Sequence, residues 1–260
     1  MYSVTTEGGQ TLPWMILVHG MSQDHRYFDQ QVAYFGRTHR LLAVDLPGHG
    51  LASKVEGPFG HVEMARHVAS EIGRAGVHGA VYWGTHTGAT IAPLVNRSCP
   101  GVLTSFILEG PAVPGENPAV VVDLLGRAAR TVRNIGVEAA IEAWWSESCW
   151  FDAMRRNPDQ FRAAEHLEMI RDFSGAPWLS DAPAIPVPDA EALLREMNMP
   201  TLVYNGADDH ADFHAAADRI TSFISHAVRA TVQDTGGFPT WERPMDANAL
   251  VAGFLRDADG

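Results

Sequence analysis

The sequence predicts one α/β domain built on a mostly parallel, doubly wound sheet. Three observations carry that prediction. Short apolar runs of strand length recur along the chain and stop at Gly or Asp. Helical patterns alternate with them, which implies right-handed crossovers between parallel strands. Residues 81–89, Val-Tyr-Trp-Gly-Thr-His-Thr-Gly-Ala, read as a buried strand entering a tight, glycine-flanked turn and then a helix.

The elements follow in order. Trp14-Met15-Ile16-Leu17-Val18 is a continuous apolar run ending at His19-Gly20. Residues 40–44 form a second, closed by Asp45-Leu46-Pro47-Gly48-His49-Gly50. Residues 80–84 lead into the turn, and 103–108 end at Glu109-Gly110-Pro111. Residues 201–204 end at Asn205-Gly206, and 227–232 form the sixth run. All six read as strands buried on both faces. Met64, Ala65, Val68, Ala69 and Ile72 share one face of a helix. A helix over 89–97 follows the turn, bent by Pro93. Further helices are expected over 211–225 and 244–255.

One region breaks the alternation. Residues 114–197 are helical and strand-poor, and carry Trp144, Trp145, Trp150, Phe151 and Trp178. A proline-rich stretch, 177–188, leads back to the core. This segment reads as a helical cap inserted between core segments 1–113 and 198–260. Such a cap packs its own aromatic core and lines an apolar pocket over the sheet edge.

The chain has 260 residues, 46% of them hydrophobic, and 19 − 31 = −12 formal charges. Such a surface repels nucleic acid and anionic membrane, leaving a small molecule as the expected partner. Cys99 and Cys149 form no CxxC or zinc pattern. The start, from Met1 to Glu7, shows no leader pattern, and no apolar stretch approaches the ~20 residues that span a bilayer. A cytoplasmic protein is expected. Oligomeric state is left open.

These features together resemble the α/β-hydrolase fold over nearly the whole chain. His19-Gly20-Met21-Ser22 resembles its oxyanion loop, and Asp45 to Gly50 matches its DxxGxG turn. Asn205-Gly206-Ala207-Asp208-Asp209 resembles the turn that carries the triad acid, with Asp209 in the usual place. Residues 235–244 resemble the segment that carries the catalytic histidine. Two triad positions depart from the pattern. The nucleophile slot holds His86, and the histidine slot holds Gly237. The resemblance therefore implies a degenerate triad, and Ser-His-acid chemistry is unavailable as written. The N-terminal hairpin of the family is also expected to be shortened.

The candidate catalytic residues are His86, Glu109, Asp209 and Ser22. The elbow lifts His86 into the pocket, where an imidazole can serve as base or as nucleophile. Glu109 or Asp209 would orient it, and Ser22 is a candidate relocated nucleophile. The expected substrate-binding residues are Gly20, Met21, His25, Thr87, Trp144, Trp145 and Phe238, with Met21 and Thr87 N–H groups forming an oxyanion hole. Asp24-His25-Arg26 also resembles a segment of the cofactor-free quinolone dioxygenases. His210 and His214 lie four apart but lack a third ligand pattern, so no metal is expected. No cofactor is expected. Three readings stay open: hydrolysis of an ester, amide or lactone; a non-hydrolytic lyase, isomerase, cyclase or cofactor-free dioxygenase; and a ligand-binding pseudoenzyme.

Overall fold

The computed structural model describes residues 3–5 and 11–259. The leader-free start was expected over residues 1–7, of which Met1, Tyr2, Thr6 and Glu7 lie outside the described residues. Among the described residues seven strands form one sheet: β1 Ser3–Thr5, β2 Trp14–Val18, β3 Arg40–Val44, β4 Ala80–Thr85, β5 Leu103–Glu109, β6 Thr201–Gly206 and β7 Ala227–Val232. Their spatial order is β1-β3-β2-β4-β5-β6-β7. Only β1 runs antiparallel to its neighbour. The six strands expected from the apolar runs are all present, and β1 is additional.

Alternation along each strand separates two apolar layers. Met15, Leu17, Trp83, Ile107 and Tyr204 belong to one, and Trp14, Ile16, Val18, Tyr82 and Phe106 to the other. Strands β2 and β4 are buried throughout. Strand β7 departs from the expectation: only Val232 is fully buried there. It is an edge strand, with a neighbour on one side only among the described residues. The helix expected over 89–97 is two, Thr87–Thr90 and Ala92–Ser98. The break falls at Ile91, because Pro93 has no N–H and suits the first turn of a new helix.

Between β5 and β6 the chain makes helices Ala119–Asn134, Val137–Glu147, Ala163–Arg171, Ala176–Leu179 and Ala190–Arg195. Trp144, Trp150, Phe151 and Trp178 from this insertion pack into the same apolar layer as Trp83 and Tyr204. That layer runs from the sheet into the insertion, so the β4 end faces aromatic side chains rather than solvent. Among the described residues no helix is long and apolar enough to cross a membrane.

Candidate active site

The site starts at the end of β4. His86 has φ 45° and ψ −105°, a conformation that costs a non-glycine residue about 1–3 kcal/mol. The surroundings hold it there. Its N–H donates to the Glu109 carbonyl at 2.8 Å, tying it to β5. Its own carbonyl accepts from the Thr90 N–H and the Thr90 hydroxyl, both at 2.8 Å. The flanking glycines are required by contact. A Cβ on Gly84 would lie 2.4 Å from Gly88 C, and one on Gly88 would lie 2.1 Å from Val18 O. The turn is therefore a strained strand-to-helix elbow with the imidazole at its tip.

The imidazole is held on several sides. Its Nε2–H donates to the Gly237 carbonyl at 2.7 Å. That bond puts the proton on Nε2 and leaves Nδ1 as the nitrogen with a lone pair. Nδ1 has no hydrogen-bond partner among the described residues. Phe213 and Phe238 pack at ring distances of 5.3 and 4.7 Å. Gly110 has φ 52°, and a Cβ there would lie 2.9 Å from His86 Cε1. Gly237 is equally constrained, since its Cβ would lie 2.8 Å from that of Trp150. Trp150 thus occupies the space that a side chain at 237 would need.

His86 lines a cavity of about 430 Å³ between the sheet edge and the insertion. Trp144, Trp150, Trp178, Phe213 and Phe238 give it an aromatic wall. Met21 and Thr87 also line it, and neither backbone N–H has an acceptor among the described residues. The loop bearing Met21 is tied on each side. Gly20 N–H donates to Gln23 Oε1 at 2.9 Å, and Ser22 N–H donates to His49 Nε2 at 3.1 Å. The insertion adds two contacts: Trp144 Nε1–H donates to Ser22 Oγ at 3.0 Å, and Gln23 Nε2 reaches His166 Nε2 at 3.4 Å.

Three carboxyls lie behind this edge. Glu109 is fully buried and accepts from the Tyr27 hydroxyl at 2.8 Å, the Tyr204 hydroxyl at 3.0 Å and the Thr240 N–H at 2.9 Å. The Thr240 hydroxyl donates to it as well. Burial pushes the Glu109 carboxyl up, against the opposing influence of His86 and of its donors. Asp209 accepts from Asn205 Nδ2 at 2.7 Å and from the His210 N–H at 2.8 Å. Burial raises Glu242 to about 8, although the Gly236 N–H donates to its Oε2.

The structure brings His86, Met21, Thr87, Trp144 and Phe238 to one cavity. It separates the others from it. Neither Glu109 nor Asp209 hydrogen-bonds the His86 ring, whose partner is a carbonyl. Ser22 is buried, and its hydroxyl donates to the Met21 carbonyl at 2.6 Å. Gly20 supplies its N–H to Gln23 rather than to the cavity. His25 Nδ1 is turned to Asp45 Oδ2 at 2.9 Å. Trp145 packs on Phe151 instead, because adjacent residues on a helix point about 100° apart and Trp144 takes the cavity side. Sequence reasoning placed no site role on Trp150, Trp178, Phe213, His61 or Arg133, all of which line the cavity. The two tryptophans were visible as insertion aromatics. Nothing in the sequence marked the other three.

The comparisons with known proteins agree with this architecture. The chain is 29% identical over 123 residues to the pimeloyl-[acyl-carrier protein] methyl ester esterase of Sodalis glossinidius, covering 46% of either chain, so it spans about half the length of that relative. It is 23% identical to the 2-succinyl-6-hydroxy-2,4-cyclohexadiene-1-carboxylate synthase of Pectobacterium atrosepticum, covering 84% of this chain and 96% of the other. Among solved structures, the enol-lactonase of Burkholderia xenovorans LB400 superposes with a TM-score of 0.82 at 21% identity, over 98% of this chain and 96% of the other. MenH from S. aureus superposes with a TM-score of 0.79 at 17% identity, over 100% and 99%. Residues 15–249 match the model of the alpha/beta hydrolase family, and the chain belongs to that family.

Proposed function

We propose that the protein is a cofactor-independent enzyme that hydrolyses a small, largely apolar or aromatic ester or lactone, with His86 as general base. The observation that carries this reading is the state of His86. It sits on a strained elbow, lines an aromatic cavity, and has Nε2–H fixed on the Gly237 carbonyl while Nδ1 is unpartnered. In this reading the triad is degenerate, and the helical segment 114–197 acts as a cap. Nδ1 takes a proton from water as the water oxygen attacks the substrate carbonyl. The Met21 and Thr87 N–H groups hold the oxyanion. The tetrahedral adduct collapses, and the proton on Nδ1 passes to the departing alkoxide. No acyl-enzyme forms in this reading, because among the described residues no hydroxyl or thiol hydrogen-bonds the imidazole.

A second reading keeps the base and changes the proton. His86 Nδ1 would abstract an acidic substrate C–H in a non-hydrolytic reaction. The absence of a bonded nucleophile and the likeness to the Pectobacterium synthase favour it.

Turnover of short-chain p-nitrophenyl esters by the wild type and by His86→Ala tests the first reading. Hydrolysis by the wild type that disappears in the variant, with no acylated protein in a quenched-flow mass spectrum, is the expected result. Equal hydrolysis in both would overturn it. Inert esters, with His86-dependent exchange of a substrate C–H for deuterium, would transfer the assignment to the second reading.

A further inference from the structure

The cavity wall has a charge asymmetry. The chain contains 31 acidic residues against 19 basic ones, yet among the described residues no Asp or Glu lines the cavity. Among the described residues, the one Lys or Arg in the wall is Arg133, on helix Ala119–Asn134. His61, at the start of helix His61–Arg74, lines the same cavity. The Gly115 N–H donates to His61 Nδ1 at 3.0 Å, so Nε2 carries the proton of the neutral ring. That Nε2–H has no acceptor among the described residues. Burial lowers the His61 pKa, which keeps the ring a neutral donor. Glu63, whose charge acts on His61, is turned to the Ile185 N–H at 2.7 Å.

We infer that the substrate carries an anionic group on its apolar body, a carboxylate being the simplest, seated against Arg133 and the Nε2–H of His61. The inference rests on the proposed function and narrows its substrate class. The aromatic wall fits the body, and the two donors fit the head. Arg133 already demonstrates the geometry of such a contact. Its Nη2 donates to Asp181 Oδ1 at 2.7 Å, and Asp181 is 85% exposed. An ion pair that exposed is weak and exchangeable. Asp181 therefore acts as a placeholder that a substrate carboxylate displaces.

Binding, unlike turnover, tests this without assuming the reaction. Naphthoate and its uncharged isostere naphthamide are titrated calorimetrically into the wild type, Arg133→Gln and Asp181→Asn. Both positions are exposed at the surface, so the variants fold. The wild type is expected to bind naphthoate at least about tenfold more tightly than naphthamide. Arg133→Gln erases that preference and leaves naphthamide unchanged. Asp181→Asn tightens naphthoate about two- to threefold by removing the competitor. Equal wild-type affinities, a preference that survives in Arg133→Gln, or no gain in Asp181→Asn would each overturn the inference while leaving the proposed function standing. Failure of the wild type to bind either compound would overturn the aromatic-cavity reading as well.

Discussion

Two groups of histidines share one edge of this sheet and differ in how fully their nitrogens are used. At the ends of β2 and β3, His19 Nδ1–H donates to the Gly20 carbonyl, and its Nε2 accepts from the Leu46 N–H. His49 Nδ1–H donates to the Pro47 carbonyl, and its Nε2 accepts from the Ser22 N–H. Both rings are fully buried and fully bonded, and burial lowers both pKa values, that of His49 to about 3. At the cavity, His86 and His61 each use one nitrogen and leave the other unpartnered. A buried ring with both nitrogens bonded is a structural brace. A ring fixed through one nitrogen and open at the other has a defined tautomer and a free functional atom.

The largest expected effect separates the two groups directly. His86→Ala should lower kcat/KM by about 10²- to 10⁴-fold in steady-state assays, at a stability cost of no more than about 1 kcal/mol from the lost bond to the Gly237 carbonyl. His49→Ala should do the reverse in kind. It strands the Ser22 N–H and removes the ring packed on Phe173, costing about 2 kcal/mol in a denaturant titration. Loss of stability in the first variant with full activity, or loss of activity alone in the second, would break the comparison.

The next test concerns Gly237. Its Cβ would collide with Trp150, so Gly237→Ala should cost about 1–3 kcal/mol, and Gly237→His should not restore a base there. Thermal melts of Gly237→Ala with and without Trp150→Ala check this: the loss should persist in the double variant, because the crowding atoms are Trp150 Cβ, Cα and O, which alanine keeps.

Smaller effects come from titration. A buried Glu242 raised to about 8 from the ordinary 4.5 favours the protonated carboxyl in the fold. Its contribution to stability therefore declines as pH rises from 4.5 to 8. Glu242→Gln should raise the melting temperature at pH 8 by roughly 2–4 °C, about 1 kcal/mol, and by less at pH 5. The smallest effect belongs to His25 and Asp45. The bond to Asp45 raises His25 above 6.5. Burial works to raise Asp45, but His25 and His19 hold it below 3.8. The pair thus stabilises fully between pH 3.8 and 6.5. That stability fades as pH rises from 6.5 through the folded His25 value, and as pH falls from 3.8 through the folded Asp45 value. His25→Gln should flatten this pH dependence by under about 1 kcal/mol. An unchanged slope between pH 5 and 8 would show that the contact carries no net energy.

Much of this was legible in the chain. Apolar runs closed by Gly or Asp located β2 to β6, because a strand covered on both faces needs continuous hydrophobicity whatever its neighbours are; β7 was located as well, although it is mostly not buried. The spacing of Gly84, His86 and Gly88 located the elbow, because a Cβ at either glycine would lie within 2.4 Å of neighbouring backbone atoms. These are local constraints, written residue by residue. The carboxylates were harder. Glu109 and Asp209 sit at strand ends, as the sequence implied, yet Glu109 serves Tyr27, Tyr204 and Thr240, and Asp209 serves Asn205. Those partners lie up to 131 positions away in the chain. Only tertiary structure decided that Trp150 fills the place beside Gly237, that the Gly237 carbonyl fixes the His86 tautomer, and that His61 and Arg133 share a cavity with it. The physical reason is common to all three. Sequence specifies which groups a backbone segment presents, whereas the packing of distant elements decides which atom of each group is left without a partner.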